Sequence, residues 1–150
     1  MIRRTALALA GAAALLASTA LAAPPQSAEL HAVAPLQYRI LASGPAEGPH
    51  PSRKDQVVVR YTGRLADGKV FDSSKDRPGG TATFPVGRLI PGWVVALQLM
   101  RPGDHWELIV PPEMAYGETG VGDGVIPPKA TLTFDVELVS IVPPAPPAGQ

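Results

Sequence analysis

Hydrophobic and polar residues alternate along much of this chain. In the run VVVRYTGRL, Val57, Val59, Tyr61 and Leu65 share one face, and Arg60, Thr62 and Arg64 share the other. A period of two is the spacing of a β-strand with one buried side. Asp67-Gly68 follows as a turn, because glycine accepts positive φ without steric cost. Lys69–Ser73 is then expected to return antiparallel to the first strand. The pattern recurs in DHWELIV, where Trp106, Leu108 and Val110 point inward and His105 and Glu107 outward. It recurs again in TLTFDVELV, where Leu132, Phe134, Val136 and Leu138 point inward. Leu36–Leu41 is a further strand candidate.

One segment breaks this rhythm. PGWVVALQLM places Trp93, Val94, Leu97 and Met100 at helical spacing. Pro91 suits the first helical turn, where its missing N–H has no partner to lose. Arg101-Pro102-Gly103-Asp104 ends the helix in a tight turn. These elements predict an α+β fold, a curved antiparallel β-sheet of about five or six strands wrapped around one short α-helix.

The ends of the chain read differently. Residues 1–22 have the form of an export signal: Arg3 and Arg4, the apolar run Ala6–Leu16, and the small-x-small site Ala20-Leu21-Ala22. That run is shorter than the ~20 residues of a membrane span. Residues 23–35 are rich in Ala and Pro without periodicity and are read as a flexible leader. Residues 143–150, PPAPPAGQ, are read as a proline-rich disordered tail. The folded body is therefore expected at 36–142. An exported protein is expected, in the periplasm first and the medium second, with no membrane association after cleavage.

Composition narrows the chemistry. There are no cysteines, which excludes disulfides, a thiol nucleophile, a cysteine metal site and a lipid-bearing cysteine. Without Arg3 and Arg4, 11 of the 13 basic residues face 13 acidic ones, a net charge of about −2. No basic stripe for nucleic acid is present. His31, His50 and His105 are not beside a candidate nucleophile in sequence, and no zinc spacing occurs. GETGVGDG, Gly117–Gly124, lacks the Lys-Ser/Thr pair of a phosphate loop and is read as a surface loop. No cofactor or metal is expected.

What remains is a set of apolar residues: Tyr61, Phe71, Ile90, Trp93, Tyr116, Val125, Ile126 and Phe134. Several fall in loops, and loops run near the surface. An apolar cluster built partly by loops points to a concave pocket rather than a sealed core. Asp72 follows Phe71 directly. Its carboxylate has three readings: an acid or base, an orienting group, or a cap on the backbone N–H of Ser73 or Ser74.

The order of motifs adds a resemblance. VVVRYTGRLADGKVFDSS, IPGW, MRPGD, PPEMAYG and VIPPKATLTFDVELVSI, between Val57 and Ile141, resemble FKBP-type peptidyl-prolyl cis–trans isomerases, especially secreted bacterial ones. The resemblance implies a pocket between sheet and helix, with Trp93 as its floor. Tyr61, Phe71, Asp72, Tyr116 and Phe134 would join Trp93 as catalytic residues. Arg77, Leu89, Ile90, Val125 and Ile126 would contact substrate. Asp72 would accept bonds from Tyr61 and Arg77, and the Ile90 N–H and Tyr116 hydroxyl would bond peptide carbonyls. The implied partners are X-Pro-containing exported polypeptides and immunosuppressive macrolides. A non-catalytic module that grips proline-containing chains is the alternative. The chain departs from many members at Ala82, two residues before Phe84, where they carry an aromatic. Secreted relatives often carry a helical dimerisation arm, and the short stretch between signal and body implies a monomer.

Overall fold

The computed structural model describes residues 29–146 and 148. Residues 1–22, read above as an export signal, most of the segment read as a leader, and residues 147, 149 and 150 of the tail lie outside them. The elements in order are β1 (Leu30–Val33), β2 (Leu36–Ala42), β3 (Gln56–Arg64), β4 (Val70–Ser73), β5 (Ala82–Pro85), α1 (Pro91–Leu99), β6 (His105–Val110) and β7 (Leu132–Val142). The strands form one sheet of 7 strands in the order β1-β2-β6-β7-β3-β4, with β5 also on β3. Every pairing is antiparallel.

β3 and β7 are the spine of this sheet. They pair from Gln56 opposite Val142 to Arg64 opposite Thr133. The other edge of β3 is shared, with β5 along its first half and β4 along its second. Alternation then decides the burial. Val57, Val59, Tyr61, Leu132, Phe134, Val136 and Leu138 all face the core. Thr62 is buried as well, against its polar reading, and its hydroxyl lies 3.2 Å from that of Ser73 on the neighbouring strand.

α1 lies on the apolar face of the sheet. Trp93, Ala96 and Leu97 are buried there, and Met100 just beyond the helix is buried with them. Fully burying a side chain of the size of Leu97 or Met100 is worth about 1.5–3 kcal/mol. Close approach needs a small residue at one point: a Cβ on Gly92 would lie 2.6 Å from a methyl of Val110.

The sheet has more strands than the roughly five or six expected, and it starts earlier. Leu30–Val33 falls in the segment read as a flexible leader, yet it pairs with β2 from Leu30 opposite Arg39 to Val33 opposite Leu36. Three of its four residues are exposed. Main-chain pairing holds it, together with a stack of His31 on Tyr38 at 5.3 Å that continues to Trp106 at 4.5 Å. No alternation of apolar residues accompanies such a strand, so periodicity misses it.

One turn ties distant parts of the chain together. Asp104 is buried. Its carboxylate accepts from the Gly44 N–H at 2.6 Å and from the Arg101 N–H at 2.9 Å. Its own C=O accepts from the Leu138 N–H at 2.9 Å, while the Gly103 N–H donates to the Leu138 C=O at 2.8 Å. The end of the helix, the chain after β2 and the last strand thus meet at one residue. Removing that carboxylate leaves two inward N–H groups unpaired, and an unpaired buried donor costs about 1–3 kcal/mol. Asp104→Ala is expected to lose a few kcal/mol of stability on this basis, read as a lower midpoint in urea. A midpoint equal to wild type would show that solvent replaces the carboxylate at no cost.

Candidate active site

A cavity of about 270 Å³ opens beside the first turn of α1. Its position follows from IPGW. The Ile90 C=O accepts from the N–H of Trp93 at 3.0 Å and of Val94 at 3.1 Å, which starts the helix with Pro91 in its first turn. The indole is thereby fixed one turn in and aimed at the sheet. Only 3% of Trp93 is exposed.

Rings stand edge-on around this indole. Tyr61 lies at 5.3 Å and 86°, Phe134 at 5.3 Å and 88°, and Phe84 at 6.2 Å and 85°. Phe71 in turn meets Phe134 at 5.6 Å and 86°. Edge-to-face pairs are worth about 0.5–1.5 kcal/mol each beyond area burial, so the floor is stiff as well as apolar. Gly63 makes room for this wall: a Cβ there would lie 2.6 Å from Phe71 Cζ and 2.9 Å from Phe134 Cε1. Leu89 and Ile90 line the cavity from the segment before the helix, and Tyr116 from the loop after β6.

The rim is polar and internally bonded. The Tyr61 hydroxyl donates to Asp72 Oδ2 at 2.6 Å, and Arg77 Nη2 donates to the Tyr61 oxygen at 3.0 Å. The same guanidinium nitrogen lies 3.6 Å from Asp72 Oδ1. The Arg77 head also stands over the rings of Tyr61 and Phe84, at 5.8 and 5.7 Å from their centres, a cation–π geometry. Asp72 therefore holds a tyrosine. The Ser74 N–H, considered above as a partner for a capping carboxylate, donates to the Tyr61 C=O at 2.9 Å.

Burial raises the Tyr61 phenol well above its ordinary range, helped by the hydrogen bond and charge of Asp72 and opposed by Arg77. Tyr116 is raised too, first by burial and then by the Asp72 charge. Both hydroxyls are donors at neutral pH.

The cavity brings together Tyr61, Phe71, Asp72, Arg77, Leu89, Ile90, Trp93, Tyr116 and Phe134, as the motifs imply. It does not include Val125 or Ile126. The reason is local. Val121 and Ile126 exchange both backbone hydrogen bonds at 3.0 Å, which makes Val121–Ile126 a small hairpin. Neighbouring residues in such a hairpin face opposite ways. Ile126 turns into the core, 5% exposed, and Val125 turns to solvent, 52% exposed.

Two lining residues were missed as site residues, Phe84 and Arg88. Phe84 was within reach, since Ala82 and Phe84 share a face of β5. Arg88 gave no signal in the pattern of apolar positions.

Comparison with known proteins agrees with this geometry. Residues 48–139 match the family model described as FKBP-type peptidyl-prolyl cis-trans isomerase. The FKBP-type 22 kDa peptidyl-prolyl cis-trans isomerase of Escherichia coli is 54% identical over 107 residues, 71% of this chain and 50% of that protein. The probable FKBP-type peptidyl-prolyl cis-trans isomerase FkpA of Neisseria meningitidis is 50% identical over 109 residues, 73% of this chain and 39% of that one. A crystal structure of a peptidyl-prolyl cis-trans isomerase from Pseudomonas syringae superposes with a TM-score of 0.68 at 38% identity, covering 75% of this chain and 80% of that one. The chain spans about half the length of the curated relatives it matches.

The buried phenol has a consequence for pH. Its folded pKa lies above the unfolded value of about 10. The stabilisation is therefore fully present below about pH 10 and is lost as pH rises through the folded value. Tyr61→Phe should flatten the fall in urea stability on the alkaline side. An alkaline slope identical to wild type would contradict the described setting of this hydroxyl.

Proposed function

We infer, from the premise that this chain belongs to the FKBP-type peptidyl-prolyl cis–trans isomerase family, that it accelerates rotation about X-Pro bonds in exported polypeptides. The observation that carries this is a cavity floored by a buried indole and ringed by aromatic edges, with Tyr61, Asp72 and Arg77 bonded to one another beside it.

The chemistry needs no nucleophile. An X-Pro amide resists rotation because its C–N bond is partly double, with a barrier of about 18–20 kcal/mol. The planar amide is polar and well hydrated, whereas the twisted one has lost conjugation. A dry aromatic site penalises the planar form more than the twisted form, so binding differs between ground and transition state. A thousandfold acceleration needs only about 4 kcal/mol.

Each residue then has a task. Trp93 supports the prolyl ring from below. Tyr61, Phe71 and Phe134 wall it in and exclude water. The Ile90 N–H and the Tyr116 hydroxyl donate to peptide carbonyls on either side. Asp72 and Arg77 hold Tyr61 in place, so Asp72 orients rather than transfers a proton. Immunosuppressive macrolides would occupy the same cavity and compete with peptide.

The export reading rests on the charged start, apolar run and small-x-small site of residues 1–22. Among the described residues no helix is long and apolar enough to cross a membrane. Outside the cytoplasm the activity has a use, because uncatalysed prolyl isomerisation takes tens of seconds or more and can limit folding.

The test is isomerase activity on an X-Pro peptide, with and without a macrolide. Binding without turnover would leave a proline-gripping module instead. Trp93→Ala and Phe71→Ala should each lower kcat/KM about tenfold or more, equivalent to at least ~1.4 kcal/mol. Asp72→Ala should cost less, on the order of a few-fold, because it acts through Tyr61. Circular dichroism checks that each variant is folded. Equal losses in all three folded variants would contradict this division of roles.

A further inference from the structure

The mouth of the cavity carries three charged residues, Asp72, Arg77 and Arg88. Two of them are engaged with each other: Asp72 is shared between Arg77 and the Tyr61 hydroxyl. Of the two arginines that line the cavity, Arg77 enters an ion pair and Arg88, like Arg53, Arg64 and Arg101 elsewhere among the described residues, enters none. One positive charge therefore stands at the opening without a protein counter-charge.

Its mount is fixed although its head is exposed. Arg88 ends a 3₁₀ turn, Val86–Arg88. The Val86 N–H donates to the Asp55 C=O at 3.0 Å, the Gly87 N–H to the Arg53 C=O at 3.1 Å, and the Leu89 N–H to the Val86 C=O at 3.3 Å. Val86 itself is wholly buried. The turn at 52–55 that braces it carries Arg53 and Lys54, both exposed. The same turn carries Asp55, whose carboxylate accepts from the Ser52 N–H at 2.6 Å, and two residues beyond Arg88 is Ile90, at the wall where substrate backbone would run.

We propose that Arg88 is a specificity-determining residue, favouring chains that carry a carboxylate, Asp or Glu, beside the proline. This rests on the isomerase reading above and deepens it. The guanidinium is a fork matched to a carboxylate. Discrimination comes from repulsion as well as attraction: a lysine beside the proline would meet an uncompensated like charge. Because the pair is solvent-exposed, the effect is modest and salt-sensitive.

The experiment uses two sets of short peptides, with Glu, Gln or Lys immediately before the proline or immediately after it. Rates are read by NMR exchange between the cis and trans forms, which avoids a protease with its own preference. In wild type at low salt, Glu is expected over Lys by about two- to fivefold in kcat/KM in at least one set. The ratio should approach one at high salt. Arg88→Gln should bring it near one at low salt, and Arg88→Glu should invert it. The same Glu-to-Lys ratio in wild type and Arg88→Glu would overturn the proposal while leaving isomerase activity standing. Turnover of none of the peptides, Gln ones included, would overturn the isomerase reading and this proposal with it.

Discussion

The Trp93 indole is both the centre of the hydrophobic core and the floor of the cavity. It is pressed beneath the sheet by the first turn of α1, and three aromatic rings meet it edge-on at 5.3 to 6.2 Å. Those rings come from β3, β5 and β7, elements far apart in sequence. Assembling the sheet and shaping the cavity are thus one event. The close approach of Gly92 to Val110 keeps the helix low enough for this contact. A helix riding higher would withdraw the indole from its neighbours and leave the cavity without a base.

The polar rim obeys a complementary constraint. A hydroxyl and a carboxylate beside an apolar floor would ordinarily draw water to it. Here Tyr61, Asp72 and Arg77 satisfy one another, so these three have partners before any ligand arrives, whereas the buried indole N–H of Trp93 has none. Burial and the neighbouring carboxylate also hold the phenol protonated. The phenol is therefore a donor rather than an anion, and the Asp72 carboxylate beside it is engaged by that hydroxyl and by Arg77. Arg88 is the charged lining residue outside this internal accounting.

Periodicity read from the sequence located β3, β6, β7 and α1, because each carries a buried stripe that only one secondary structure can place on one side. It did not locate β1, whose residues are mostly exposed and whose pairing is made by the main chain. The site divides along similar lines. Residues on strands and on the helix start came together as their faces require. Val125 and Ile126 did not join them, because a two-way hairpin bond at Val121 and Ile126 sends adjacent side chains to opposite sides. Phe84 was legible from the alternation of its short strand. Arg88 was not, since a charged residue on a turn has no periodic signature and its place at the opening is a product of tertiary contacts.

Gly63 has a meaning beyond local fit. One face of the cavity wall leans on bare main chain, where a single added carbon would collide with both Phe71 and Phe134. The width of the groove is thus governed by an atom that is missing. A side chain at this position requires one or both rings to shift or shrink, so positions 63, 71 and 134 are coupled. That set is a ready dial for an engineer: adding the carbon while shortening both Phe71 and Phe134 would recut the groove without replacing the indole beneath.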